Sequence, residues 1–310
     1  MTRKTIGLVG ARGFTGRELI KLIRHRDELE LVFASSREFA GKPVCEMAPE
    51  ADAALMFEAL GPDDVAARGV DAVILALPNG ASHTFVDAID RDCPDTLIVD
   101  LSADYRFTEN WTYGLPEIYG RDALKSAKRI SNPGCYATAG QLAIAPLKGR
   151  LDGRVHVFGV SGYSGAGTTP SRKNDIEALK DNLMPYALSD HIHEREMARH
   201  LGCELSFTPH VAAFFRGIVA TTHLSLKTPI ARDELIALYS DFYKGESLIN
   251  ITSDIPEVRD GADQNGAVIG GFDVSEDGRR LVIVSVLDNL LKGAAVQAMQ
   301  NLLIGLGISE

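Results

Sequence analysis

The sequence predicts an α/β protein of two domains. A doubly wound parallel sheet occupies residues 1–134, an α+β domain follows over 135–288, and a last helical segment, 289–310, packs back onto the first. Three observations carry this reading. The first 135 residues alternate short apolar runs with helical spacing, as a parallel sheet with crossover helices requires. A glycine-rich turn joins the first strand to the first helix. After about residue 150 the apolar runs lengthen and several alternate with polar residues, which suits a sheet with two unlike faces.

Thr5–Val9 reads as the first strand, and Gly16–Arg24 places Leu19, Ile20, Leu22 and Ile23 at helical spacing. Leu29–Ala34 is the second strand. Asp71–Leu77 and Thr96–Leu101 are nearly all apolar, as strands covered on both faces should be. Arg129–Ser131 closes the series. Beyond it, Arg154–Val160, Leu205–Val211, Ile218–Leu226, Ala267–Val274 and Arg280–Leu287 read as strands. Ser171–Lys180, His193–Leu201 and Arg232–Tyr243 read as helices, and Asn289–Leu306 as a helix apolar on one side. The chain shows no internal repeat, low-complexity tract or linker.

Composition excludes several functions. The 310 residues carry 45% hydrophobic and 24% charged side chains and a net charge of -10. An acidic chain is a poor nonspecific nucleic-acid binder, since that needs a basic surface. A small anionic substrate is compatible, because a few local arginines outweigh a diffuse negative field. No apolar run reaches the ~18 residues of a membrane span, and no signal-peptide pattern opens the chain. Cys45, Cys93, Cys135 and Cys203 are far apart with no CxxC pair, so neither a disulfide framework nor a metal site is expected. A cytoplasmic setting fits and keeps thiols reduced.

Gly7-Leu-Val-Gly10-Ala-Arg12-Gly13-Phe14-Thr15-Gly16 links strand to helix with the spacing G-x-x-G-x-x-G. Glycines there let the backbone turn tightly and approach a pyrophosphate seated on the helix N-terminus, as in a Rossmann-type nucleotide-binding domain. The second strand ends in Ala34-Ser35-Ser36-Arg37 rather than in an acidic residue. Two hydroxyls and a guanidinium suit a 2′-phosphate, so NADP(H) is expected over NAD(H).

Cys135 follows Asn132-Pro-Gly, where a strand stops and a helix begins. A helix N-terminus favours the thiolate, the form that attacks carbonyls. Cys135 and a redox nucleotide on one chain point to thioester chemistry with hydride transfer. Acid–base work there suits histidine, and His191-Ile-His193 opens a helical run. Arg106 follows the fifth strand, at the sheet edge where ligands bind, and can hold phosphate bidentately. Ser161–Gly167 reads either as a loop ordered by ligand or as a structural turn.

The chain resembles the N-acetyl-γ-glutamyl-phosphate reductase family, relatives of aspartate-semialdehyde dehydrogenase. The resemblance runs through Val9-Gly-Ala-Arg-Gly-Phe-Thr-Gly, Leu77-Pro-Asn-Gly, Val99-Asp-Leu-Ser-Ala-Asp-Tyr-Arg-Phe, Tyr113-Gly-Leu-Pro-Glu, Asn132-Pro-Gly-Cys-Tyr-Ala-Thr, Ser161-Gly-Tyr-Ser-Gly-Ala-Gly, His191-Ile-His, Thr208-Pro-His-Val, Arg216-Gly-Ile and Asp288-Asn-Leu-Leu-Lys-Gly-Ala. It implies an NADPH-dependent acyl-phosphate reductase of arginine biosynthesis that releases inorganic phosphate. Cys135 would be the nucleophile, His193 the acid–base group and His191 its neighbour. Arg106, Asn132 and Ser102 would serve the phosphate. His210 and Arg216 would line the substrate site, and Asn289 would reach the nicotinamide unless that region serves as a helix cap. The family continues His-x-His with Pro-Glu, whereas this chain has Glu194-Arg195-Glu196, which leaves open which histidine faces Cys135. The resemblance also implies a homodimer or homotetramer built on the second domain's sheet. Aminoadipyl or aspartyl analogues of the substrate, and a non-catalytic NADP(H) sensor, are the rival readings.

Overall fold

Apolar runs without polar alternation form the first sheet. Its strands are β1 (Lys4–Val9), β2 (Leu29–Ser35), β3 (Phe57–Glu58), β4 (Ala72–Leu75), β5 (Leu97–Asp100), β6 (Thr112–Tyr113) and β7 (Arg129–Ser131). They lie in the order β3-β2-β1-β4-β5-β7-β6, every neighbouring pair parallel. The order reverses between β1 and β4, and the crevice at such a switch point is where open α/β sheets bind ligands. The structure, a computed structural model, describes residues 3–310. The chain divides into two units, one running to Gly134 and resuming over Ala294–Glu310, the other Cys135–Gly293.

Both faces of the first sheet are covered. On one, Ile6, Leu8, Ile74 and Val99 pack with Leu19, Ile20 and Ile23 of the helix Phe14–Arg24 and with Ala298, Leu302 and Leu303. On the other, Val9, Phe33, Val73 and Ile98 meet the helices Pro62–Ala67 and His83–Asp92 through Val65, Phe85, Val86 and Ile89. Each such side chain contributes roughly 1.5–3 kcal/mol by leaving water.

The C-terminal segment differs from the helix expected over Asn289–Leu306. A π-turn over Leu291–Ala295 precedes an α-helix over Val296–Gly305, and Val296–Ile304 are buried on every side. The expected polar face consists of buried amides with partners. Asn301 Nδ2 donates to Gly114 O at 3.0 Å and to Asn132 Oδ1 at 2.9 Å, and Gln300 Nε2 donates to Glu117 Oε1 at 2.9 Å. Sequence periodicity cannot distinguish a satisfied buried amide from an exposed one.

The second unit carries β8 (Val155–Gly162), β9 (Leu183–Pro185), β10 (Leu205–Ala212), β11 (Ile218–Ser225), β12 (Ile249–Ile251), β13 (Ala267–Val274) and β14 (Arg280–Leu287). Their order is β12-β13-β14-β11-β8-β10-β9. The β8/β10 and β12/β13 pairs are parallel and the others antiparallel. Strict burial alternation along β10 and β11 reflects one covered face. The helix Cys135–Ile144 is buried from Tyr136 through Ile144. Its last carbonyls, which a helix leaves unpaired, accept bonds from Tyr243 Oη at 2.7 Å (Leu142 O) and from Tyr239 Oη (Ala143 O). Ser171–Lys180 is not the continuous helix expected. A 3-10 turn, Arg172–Asn174, gives way to the single turn Ile176–Leu179, because Asp175 is extended and caps the second piece through Glu177 N.

Asn301→Ala leaves Asn132 Oδ1 and the Gly114 carbonyl without this donor, and should cost about 2–4 kcal/mol. Urea unfolding measures it; a loss under about 0.5 kcal/mol contradicts the role given to this amide.

Candidate active site

The glycine loop occupies the switch point of the first sheet. Gly10 has φ 83° and lies so close to the Ala76 carbonyl at the end of β4 that a Cβ could not be added. Gly10 and Ala11 N–H groups bond the Ser35 carbonyl at 3.2 and 3.1 Å, tying the loop to the end of β2. Gly13 is the N-cap of Phe14–Arg24 and brings no capping side chain, and no acidic residue lies in the first turn. Phe14, Thr15 and Gly16 thus begin an eleven-residue helix suited to a pyrophosphate. Ser35 and Ser36 are buried at the end of β2 and Arg37 is exposed beside them. Arg12 pairs with Glu38 at 2.9 Å, so the acidic side chain that follows Arg37 already meets a cation from the loop. These features fit a dinucleotide.

At the end of β5, Asp100 is fully buried and burial pushes its carboxyl pKa up. Ser82 Oγ and Ser102 Oγ donate to its two oxygens at 2.7 and 2.6 Å. Ser102 Oγ in turn accepts the Asp104 N–H at 3.1 Å, and Asp104 accepts the Gly80 N–H at 2.7 Å. Arg106 is buried, its Nε donating to Asn132 O at 2.9 Å and its Nη2 to Leu101 O at 2.8 Å. Asn132 is buried too, its Nδ2 on Pro133 O and Ala294 O and its Oδ1 on Asn301. Ser102, Arg106 and Asn132 therefore use side-chain polar atoms to fix the ends of β5 and β7.

In the second unit Cys135 starts its buried helix and is itself half-buried. Gly293 faces it: a Cβ there would lie 2.7 Å from the Cys135 Cβ. The next residue, Tyr136, lies over Gly159 of β8, where any Cβ would meet the Tyr136 and Phe207 rings. Tyr136 Oη donates to the His210 carbonyl at 2.6 Å and shares hydrogen bonds with Ser161 and Tyr186. Burial, and the charge of Cys135, hold both tyrosine pKa values well above their ordinary value. Both stay protonated donors at neutral pH.

The helix Ile192–Leu201 runs beside the Cys135 helix. Met197 packs on Gly140, and His193 lies one turn earlier with its ring 6.0 Å from that of Tyr136. The two contacts follow the same order along both helices, so the helices are parallel and their N-termini adjoin. Two positive helix ends therefore face the thiol region, which favours anionic sulfur and oxygen. His191 is the N-cap of the second helix: its Nδ1 accepts the His193 N–H at 3.1 Å. That bond places the neutral ring's proton on Nε2. Burial, with the Lys173 charge, lowers the His191 pKa to about 4. The ring packs against His193, Phe207 and Tyr186 at 4.8, 5.3 and 5.6 Å.

The remaining expected residues lie in the same unit with other partners. His210 Nδ1 is 3.3 Å from Thr208 O, and its ring meets that of Phe158 at 4.4 Å. Arg216 bridges Asp263 at 2.7 Å and fully buried Asp288 at 2.6 Å. Asp288 Oδ1 also accepts the Leu290 and Leu291 N–H groups, capping the π-turn. Asn289 donates to Ser164 Oγ at 2.9 Å and accepts the Gly217 N–H at 2.7 Å. Ser161 and Ser164 are buried, and Ser161–Gly167 forms the end of β8 and a 3-10 turn. No group of His, Cys, Asp and Glu among the described residues could hold a metal.

Residues 5–127 match the semialdehyde dehydrogenase NAD binding domain, and residues 135–289 the semialdehyde dehydrogenase dimerisation domain. The chain is 55% identical over 306 residues to an N-acetyl-gamma-glutamyl-phosphate reductase of Stenotrophomonas maltophilia, covering 99% of this chain and 96% of that one. A Xylella fastidiosa protein of the same name is 53% identical over 99% and 93% of the two chains. The chain belongs to the N-acetyl-gamma-glutamyl-phosphate reductase family. Its fold is also that of more distant structures. Aspartate semialdehyde dehydrogenase II of Vibrio cholerae matches with a TM-score of 0.81 at 15% identity, over 99% of each chain. The Candida albicans aspartate semialdehyde dehydrogenase solved with NADP matches at 0.78 and 16%, over 98% of each.

For this member of the N-acetyl-gamma-glutamyl-phosphate reductase family, sequence reasoning missed Tyr186, Lys173 and Gly293. Tyr186 follows β9, a three-residue strand too short to leave a periodic signal. Gly293 sits in an apolar helical stretch where its contact with Cys135 is invisible. Gly293→Ala should displace the start of the Cys135 helix and lower kcat about 10–100-fold, with NADPH affinity retained; unchanged kcat contradicts the packing argument.

The His191 pKa, near 6.5 when unfolded and about 4 when folded, also predicts a pH response. Its neutral form contributes stability that is fully present above about pH 6.5 and is lost as pH falls toward 4. After discounting for the ring's partial exposure, the loss is about 1–2 kcal/mol. His191→Asn keeps a capping oxygen and should flatten this part of the stability–pH curve. A variant as pH-sensitive as the parent in that window contradicts it.

Proposed function

We propose that this chain reduces N-acetyl-L-glutamyl 5-phosphate with NADPH to N-acetyl-L-glutamate 5-semialdehyde and inorganic phosphate, a step of L-arginine biosynthesis. The observation that carries the proposal is Cys135 at the start of a buried helix, beside a parallel helix that opens with His191 and His193. Membership of the reductase family gives that thiol its substrate class.

The Cys135 thiolate attacks the acyl-phosphate carbonyl, the C–O bond to phosphate breaks, and a thioester results. Bound NADPH supplies the hydride that reduces it. His193 protonates the oxygen that develops charge and takes the proton back as the C–S bond breaks, which regenerates the thiolate and frees the aldehyde. His193 fits this role because His191 is held neutral and its Nδ1 is occupied in capping. His191 is then a positioning residue, fixing the backbone and ring of His193. The paired helix N-termini stabilise the oxyanion electrostatically.

Gly10, Arg12, Gly13, Phe14, Thr15 and Gly16 bind the pyrophosphate, and Ser35, Ser36 and Arg37 receive the 2′-phosphate. Ser102, Arg106 and Asn132 act as positioning residues for the strand ends, and Arg216 and Asn289 for the π-turn and the Ser164 turn. His210 orients Tyr136 through its carbonyl. The protein works in the cytoplasm as a homodimer whose copies meet on the outer face of the second sheet, where Phe158 is 41% exposed. That surface belongs to the part matching a dimerisation domain.

The phosphate-dependent reverse reaction tests this reading. NADP reduction should proceed with N-acetylglutamate semialdehyde and fall sharply with the aminoadipate and aspartate analogues. An analogue turning over faster would move the enzyme to another pathway, and no turnover despite tight NADPH binding would favour a sensor. Cys135→Ser should abolish turnover while NADPH still binds, and His193→Asn should lower kcat about 10²–10⁴-fold. A His191 variant that suffers more than the His193 variant reverses their assignment.

A further inference from the structure

We propose that Lys173 is the anchor for the substrate's α-carboxylate, a role that rests on the reaction proposed above. Lys173 lies in the 3-10 turn Arg172–Asn174. Asn174 fixes that turn, donating to Gly167 O at 2.9 Å and Thr169 O at 2.8 Å and accepting the Ser171 N–H at 2.7 Å. The lysine is half-buried, with its Nζ 4.8 Å from the centre of the Tyr186 ring. Tyr186 touches His191, hydrogen-bonds Tyr136 and lies within the electrostatic reach of Cys135. The Lys173 charge therefore faces the same aromatic group as the reactive thiol, from the side of His191.

Among the described residues no carboxylate forms an ion pair with Lys173, whose ammonium lies over the Tyr186 ring with His191 beyond it. A half-buried ammonium without a counter-charge is unfavourable, and a ligand that brings the charge relieves that cost. The proposed substrate offers two anionic groups. Its phosphate leaves in the first step, next to the helix N-terminus that starts at Cys135. Its carboxylate persists in the acyl phosphate, the thioester and the semialdehyde, and lies four bonds, roughly 5 Å, from the reacting carbonyl. A cation set across one aromatic ring from the thiol matches the persistent group. It would hold the chain in register through both chemical steps and reject acyl phosphates lacking that carboxylate.

The test compares the wild-type enzyme with Lys173→Gln and Lys173→Arg in the phosphate-dependent reverse reaction. For Lys173→Gln, KM for N-acetylglutamate semialdehyde should rise about tenfold or more, with KM for phosphate and NADP unmoved. Lys173→Arg should recover part of the loss. The α-methyl ester of the semialdehyde should be a poor substrate for the wild type, and Lys173→Gln should remove most of that discrimination. An increased KM for phosphate would instead make Lys173 the phosphate ligand and overturn the proposal. Unchanged KM values, or undiminished discrimination against the ester, would also overturn it. Circular dichroism and NADPH binding separate a misfolded variant from a specific loss, and the arginine variant then supplies the decisive comparison. If the wild type itself fails to turn over the semialdehyde, the reaction proposed above falls, a result distinct from failure of the lysine assignment.

Discussion

The second unit is organised around one constraint: a buried ten-residue helix must begin with a half-exposed thiol. Burying Tyr136 through Ile144 removes water from the backbone, so the helix's end carbonyls need protein donors, which Tyr239 and Tyr243 supply. At Ala139 the Ser285 hydroxyl adds another at 2.8 Å. Close approach is met by absent side chains. Gly159 admits the Tyr136 ring, Gly140 admits Met197, and Gly293 admits Cys135 itself. Each glycine sets how near one neighbour comes, and together they fix where the sulfur sits.

Electrostatics follow from that packing. Two parallel helices present adjoining N-termini, which favour negative charge. Tyr136, Tyr186 and His191 are all held in their neutral forms, the tyrosines by burial and by Cys135, the histidine by burial and by Lys173. Neutral rings make a poor counterion and a good wall. The field at the thiol therefore includes the fixed dipoles of two helix N-termini, which need no reorganisation as charge moves during reaction.

The legible part of the fold was the part with clean periodicity. β7, β13 and β14 lie where their residues predict, and the other expected strands shift by one or two residues at their ends. Failures occurred where burial was complete or local chemistry intervened. Gln297, Gln300 and Asn301 look like a solvent face yet are buried and bonded. Asp175 breaks a helical run by capping half of it. Short elements such as β3, β6 and β9 contain too few residues for a period to show. In the proposed site, Cys135 and the two histidines stand out in the sequence because their chemistry is rare. The capping bond from His193 N–H to His191 Nδ1 leaves no such mark, since it depends on local backbone geometry.

The motif residues of the first unit carry a further lesson about reading function from sequence. Arg106, Asn132 and Ser102 have the chemistry of phosphate ligands, and each also has partners within the chain. An arginine that donates to Asn132 O and Leu101 O fixes the end of β7 to the turn after β5. Asn132 extends that link to Ala294 and Asn301, where the chain re-enters the first unit. Gly134 and Cys135 directly follow this clamped strand end, while Gly293, just before re-entry, packs on Cys135. Both chain passages that bound the second unit are thus pinned, one by amides and a guanidinium, the other by a missing Cβ. In-chain partners of this kind leave no mark in chemical type or spacing, so the sequence alone does not show them.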